Sequence, residues 1–156
     1  MAAKKMALIA TKGTLDMAYP PFILASTAAA LGWEVQIFFT FYGLQLLRKD
    51  LDDIKLSPLA NPAMPMPVPM PVFVQMLPGM ESMATMMMKQ KMKSKGVASL
   101  TELRDICQEA EVKFVACQMT VDLFDFTRED FINGLEYGGA ATFMKFAGES
   151  DVCLFI

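Results

Sequence analysis

The chain begins with a short run of apolar positions, Met6 to Thr11 (MALIAT), that ends in Lys12-Gly13-Thr14. Apolar on both alternating sets of side chains, such a run suits a strand buried on both faces of a parallel sheet. From Met17 to Leu31 the pattern turns helical, with Pro20 and Pro21 placed for the first turn and Gly32 for the stop. Val35 to Thr40 (VQIFFT) is a second β-branched and aromatic run, and Gly43 to Lys49 (GLQLLRK) predicts a second, shorter helix. The order is β-α-β-α as far as the charged cluster Arg48 to Lys55.

The alternation then stops. In Ser57 to Gly79 (SPLANPAMPMPVPMPVFVQMLPG) the repeated prolines forbid a regular helix and spoil strand pairing, which predicts an extended or irregular excursion. Met80 to Lys95 is helix-favouring, with Met76, Met80, Met83 and Met87 near helical spacing and Lys89, Lys91, Lys93 and Lys95 toward the end that the helix dipole prefers. The Met/Pro-rich excursion thus covers about 57–95. Ser99 and Glu102 form a capping box before LTELRDICQEAEV, where Leu100, Leu103, Cys107 and Ala110 trace one face. Val112 to Cys117 (VKFVAC) reads as a strand, followed by Gln118 to Phe126, a Thr127 cap on Arg128-Glu129-Asp130 and a break at Gly134. Gly138 to Phe146 reads as a last helix and Asp151 to Ile156 (DVCLFI) as a closing strand. Short apolar runs alternating with helical segments predict one α/β domain over 1–156, a three-layer sandwich with a mostly parallel, flavodoxin/Rossmann-like sheet.

Composition narrows the chemistry. Of 156 residues, 54% are apolar and only 20% charged, and the net charge of -3 leaves no basic stripe for a phosphate backbone, so nucleic acid is not an expected partner. With no histidine, His-ligated metals, His acid/base chemistry and Ser-His or Cys-His pairs are excluded together. The three cysteines show no CxxC spacing, and MAAKKMALIAT offers no cleavable signal, which points to the reducing cytoplasm. Residues 56 to 80 carry no charge, yet seven of the nine prolines lie between Pro58 and Pro78 and would deny a membrane span its internal hydrogen bonds. The uncharged stretch from Met17 to Trp33 is at the short limit of a span and fits a buried crossover helix equally well.

Cys117 ends a strand, and in an open parallel sheet the carboxyl edge is where crevices hold ligands. With no histidine, only backbone amides of the following turn or nearby Lys and Arg are left to lower the pKa of its thiol, and the turn is the first candidate. A small buried hydrophobe is the alternative reading of the same residue. Cys107, on the apolar face of its helix, reads as core. Cys153 also reads as core, unless its strand lies beside VKFVAC, which would bring it near the Cys117 crevice. The loop Thr11-Lys12-Gly13-Thr14 matches neither GxGxxG nor a P-loop, and its expected task is to line the thiol crevice. Asp122, Asp125, Glu129 and Asp130 fit capping and solvated surface better than acid/base work.

The segments LRDICQEAEVKFVACQMTVDLFDF and EDFINGLEYGGAATF, with NPAMP and LPGMESMATMMMKQKMK upstream, resemble the DsrE/DsrF-like sulfurtransferase family, in its Met-rich branch sometimes labelled peroxiredoxin-like. The resemblance runs over nearly the whole chain. It implies an α/β fold, homo-oligomeric assembly and a cytoplasmic sulfur carrier or sulfurtransferase that holds sulfane sulfur as a cysteine persulfide. Rhodanese and TusA-type carriers are the partners it implies. By position the sulfur-bearing residue is Cys117, and a second cysteine found near the C-terminus of some relatives matches Cys153. Persulfide exchange needs neither metal nor nucleotide, so no cofactor is expected. The competing reading is a non-enzymatic oligomeric or membrane-associated scaffold that uses the Met/Pro-rich surface, for which thioethers that repack easily are suited. Thiol peroxidase chemistry is disfavoured, because Thr120 follows Cys117 where the Thr-x-x-Cys pattern of true peroxiredoxins needs a threonine before it.

Overall fold

The computed structural model describes residues 2–56, 73 and 76–156. The predicted irregular excursion over Ser57 to Gly79 falls largely outside these residues. Five strands form one parallel sheet: β1 (Lys5–Ala10), β2 (Glu34–Phe39), β3 (Lys113–Cys117), β4 (Leu135–Gly138) and β5 (Val152–Phe155). Their order is β4-β3-β2-β1-β5. The runs MALIAT, VQIFFT and VKFVAC are mostly apolar because their strands are the three central ones, covered on both faces, with Gln36 a buried polar exception and Lys113 exposed at the start of β3. β4 and β5 are the edges and are only partly covered.

Helix α1 (Leu15–Ala30) buries Leu15, Ala18, Tyr19, Phe22, Ala25 and Ala28, the repeat of a single helical stripe, and ends at Gly32, whose φ of +80° suits glycine. It starts two residues before the predicted boundary, so Pro20 and Pro21 lie inside the helix and not in its first turn. Neither can donate the intrahelical bond its position calls for, and Pro21 is instead packed in the interior. The predicted second helix is a 3-10 run, Phe41–Leu47. Helix α2 (Met80–Ser94) turns Ala84 and Thr85 inward, with Met88 and Met92 against the core, and leaves Met83, Met86 and Met87 exposed. The capping box at the start of α3 (Leu100–Glu109) forms as predicted: Ser99 N–H donates to Glu102 Oε2 at 2.8 Å and Glu102 N–H to Ser99 Oγ at 3.2 Å. On its inward face Arg104, not Ala110, joins Leu100 and Cys107. Then come α4 (Gln118–Leu123), a 3-10 turn at Arg128–Asp130 capped by Thr127, and α5 (Ala140–Ala147).

One face of the sheet carries the larger core, in which Phe22 of α1 meets Phe39 and Phe114 with ring centroids 6.0 and 5.9 Å apart. On the other face Ala7, Phe38, Val115 and Cys117 pack with Phe143 of α5. The result is the three-layer α/β sandwich expected, with every strand pairing parallel. The strand LEYG was not anticipated, since four residues between two glycine breaks give no readable period. Among the described residues no helix is long and apolar enough to cross a membrane.

Candidate functional site

The crossovers part at the carboxyl ends of β3 and β4. β3 leads into α4, whose Val121 joins the larger core, whereas β4 leads into α5 on the opposite face. Adjacent strands whose connections leave on opposite faces open a crevice between them. Cys117 is the last residue of β3, paired in register with Gly138 of β4, so the thiol stands at that point.

Its surroundings are specific. Cys117 is 4% exposed and serves as the N-cap residue of α4. Burial works against the thiolate, but the hydroxyl and N–H of Thr120, the hydroxyl of Thr40 and the N–H of Met119 all stabilise the charged sulfur and outweigh it, so the thiol's pKa lies below its ordinary value. Thr120 reaches the sulfur from the first turn of α4, and Thr40 from the residue just past β2, the neighbouring strand. The two hydroxyls lie 3.2 Å apart, and Phe41 N–H donates to Thr120 Oγ1 at 3.2 Å. The described residues hold no cluster of His, Cys, Asp or Glu able to bind a metal. The arrangement supports nucleophilic chemistry by a thiol biased toward its thiolate. Around it Phe41, Tyr42, Met119 and Leu123 leave apolar surface exposed.

The other two thiols differ from it. Cys107 is fully buried, its Sγ donating to Phe22 O at 3.4 Å, and burial pushes its pKa up to about 12. Cys153 is exposed on the edge strand, so it is not the core residue its sequence suggested. β5 lies beside β1, where Cys153 pairs with Ala7, and not beside β3. Following the register across Ala7, Gln36 and Lys113, three strand spacings and four residues along β3 separate Cys153 from Cys117, roughly 20 Å between Cα atoms. The structure therefore does not bring the two cysteines together within one chain. β2 lies between the loop from Thr11 to Thr14 and β3, and Lys12, Gly13 and Thr14 line a cavity of about 350 Å³ with Met17, Gln45 and Tyr42, the last of which also belongs to the apolar surface near the thiol. The four carboxylates are exposed as expected, Asp122 accepting from Gln118 Nε2 at 2.8 Å and Asp130 closing the Thr127 cap. The two threonines at the thiol were not picked out in sequence. Thr120, three residues after Cys117 at a strand-to-helix turn, carried a readable signal; Thr40 is brought there only by strand order.

A sequence profile of the DsrE/DsrF/DrsH-like family matches residues 2–155. The chain belongs to that family. It is 68% identical, over the whole of both chains, to a protein of Allochromatium vinosum named Sulfur carrier protein DsrE2. It is 34% identical to the Bacillus subtilis protein YrkE, described as uncharacterized, over 98% of this chain and 97% of that one. Among solved structures, the ychN protein from E. coli superposes with a TM-score of 0.54 at 9% identity, over 98% of this chain and 99% of that one, a likeness of fold. The DsrE/DsrF-like resemblance read from the VKFVACQM and LPGMESMAT segments is thereby established as membership.

Proposed function

We propose that this protein is a sulfur carrier that holds sulfane sulfur as a persulfide on Cys117. The observation that carries the reading is the thiol itself, buried at a strand's carboxyl edge yet biased toward the thiolate by two hydroxyls and two backbone N–H groups. The name of the Allochromatium vinosum relative supports it. In loading, the Cys117 thiolate attacks the outer sulfur of a donor R–S–SH. A sulfur–sulfur bond forms on Cys117, the donor's sulfur–sulfur bond breaks, and the donor leaves as its thiolate. In unloading, an acceptor thiolate attacks the same outer sulfur and Cys117 departs as thiolate. Neither step has a net change of oxidation state, and neither needs an external oxidant.

The apolar rim of Phe41, Tyr42, Met119 and Leu123 suits a protein that brings its own persulfide or thiol to the edge, and rhodanese and TusA-type carriers are partners of that kind. Cytoplasmic residence fits reduced, unpaired cysteines. The exposed Met76, Met83, Met86 and Met87 support homo-oligomerisation over the excursion, which light scattering on detergent-free protein tests; a monodisperse monomer would refute it. The carrier reading itself is tested by intact mass after incubation with polysulfide. Wild type should gain sulfur that reduction removes, and a folded Cys117→Ser variant should gain none there; equal loading of both would overturn the assignment.

A further inference from the structure

Phe41 adopts φ +48°, a left-handed conformation that a bulky side chain avoids, although the residue is only about half covered, at 46% exposure. Strain of this kind persists only where the surroundings impose it, and it gathers at functional sites. Here it stands one residue after Thr40, at the exit of the strand next to Cys117. The turn is tight on its other side as well: a Cβ on Gly43 would overlap the Ala10 carbonyl oxygen, so the chain cannot relax toward β1. The Phe41 N–H lies in the peptide plane set by extended Thr40 and donates to Thr120 Oγ1 at 3.2 Å, and the left-handed φ lets the chain turn into the 3-10 run without moving that plane.

Thr120 Oγ1 and Thr40 Oγ1 are 3.2 Å apart, and either can donate to the other. Two hydroxyl hydrogens thus have three takers: the two oxygens and the sulfur. A hydrogen passed between the threonines is one the sulfur loses. By filling one of the two lone pairs of Thr120 Oγ1, Phe41 N–H weakens that oxygen's demand on Thr40 and polarises the Thr120 O–H, biasing the hydroxyl hydrogens toward Cys117.

We propose that Phe41 is a positioning residue, whose left-handed φ lets the chain turn while its N–H stays on Thr120, so that the Thr40 and Thr120 hydroxyls are biased toward the Cys117 sulfur, as attacking thiolate in loading and as leaving thiolate in unloading. The role in transfer rests on the carrier reading above. The hydrogen-bond relay is measurable without it.

The test follows the pH profile of Cys117 alkylation in a Cys153→Ser background, where Cys107 is shielded by burial. Removing a hydrogen bond to a charged sulfur should slow alkylation near neutral pH roughly tenfold in Thr120→Val, with recovery in Thr120→Ser. Phe41→Val, β-branched and least tolerant of positive φ, should slow it severalfold, and should add nothing in a Thr120→Val background. Phe41→Gly, which adopts the same φ without strain, should keep the wild-type profile. A folded Phe41→Val variant with an unchanged profile would overturn the proposal, as would a Phe41→Val effect that persists without the Thr120 hydroxyl. Should Phe41→Val fail to fold, loss of the wild-type profile in a folded Phe41→Gly variant would count equally against it. Failure of wild-type protein to take up sulfur from polysulfide would instead sink the carrier reading and leave the relay standing.

Discussion

Arg104 Nη1 donates to the carbonyl oxygens of Leu46, at 2.9 Å, and Arg48, at 2.6 Å, from a side chain only 3% exposed. A guanidinium on α3 thereby closes the carboxyl end of the 3-10 run whose opening residue is Phe41. Its charge is buried among backbone dipoles, and burial depresses its pKa.

Arg104→Ala should therefore cost on the order of 3 kcal/mol, because it leaves two carbonyls without their donor and opens a cavity. Urea denaturation followed by circular dichroism measures this. Stability within about 0.5 kcal/mol of wild type would show that the 3-10 run does not depend on it.

Gly43 faces a harder limit. A Cβ there would lie 2.7 Å from the Ala10 carbonyl carbon as well as overlapping its oxygen, and both are backbone atoms of a central strand. Gly43→Ala is expected to lower stability by several kcal/mol and to slow Cys117 alkylation, since the turn that carries Thr40 and Phe41 must move. Thermal unfolding and the alkylation rate check the two parts separately.

Cys107 gives the protein an alkaline limit. Its pKa of about 12 in the fold lies above the ordinary thiol value of 9.0, so between these values the folded state binds more protons than the unfolded one. Stability from this group is complete below the unfolded pKa and is lost as pH rises, by up to about 1.4 kcal/mol per pH unit within the window. Cys107→Ala should cost about 1 kcal/mol near neutral pH, leave sulfur loading unchanged and flatten the fall in stability between pH 9 and 10. Denaturation midpoints of the two proteins across that range decide it; parallel curves would refute the assignment.

Cys153 should never close a disulfide with Cys117 in one chain, given Cα atoms roughly 20 Å apart where a disulfide needs less than about 7 Å. After mild oxidation, peptide mapping of the unfractionated protein should find Cys153 free or joined to a second chain. An intrachain Cys117–Cys153 peptide would contradict the strand order.

By itself the sequence determined what depends on neighbours along the chain. MALIAT, VQIFFT and VKFVAC announce central strands because a strand buried on both faces is apolar at nearly every position. Ser99 and Glu102 announce a helix start because both halves of the box lie within one turn. The place of Cys117 at the end of β3 was legible for the same reason, since a thiol closing such a strand falls at the carboxyl edge of the sheet. Long-range pairing was left to the tertiary structure. DVCLFI reads equally as a neighbour of β1 or of β3, and only the return of α5 across the second face puts Cys153 far from Cys117. LEYG became a strand because β3 offered it a partner, not because its residues demand one. Thr40 and Phe41 reached the thiol through the adjacency of β2 and β3, whose residues at this edge are 77 apart in sequence. Hydrogen bonds between such distant residues have no periodicity to reveal them, since they are fixed by which strands become neighbours.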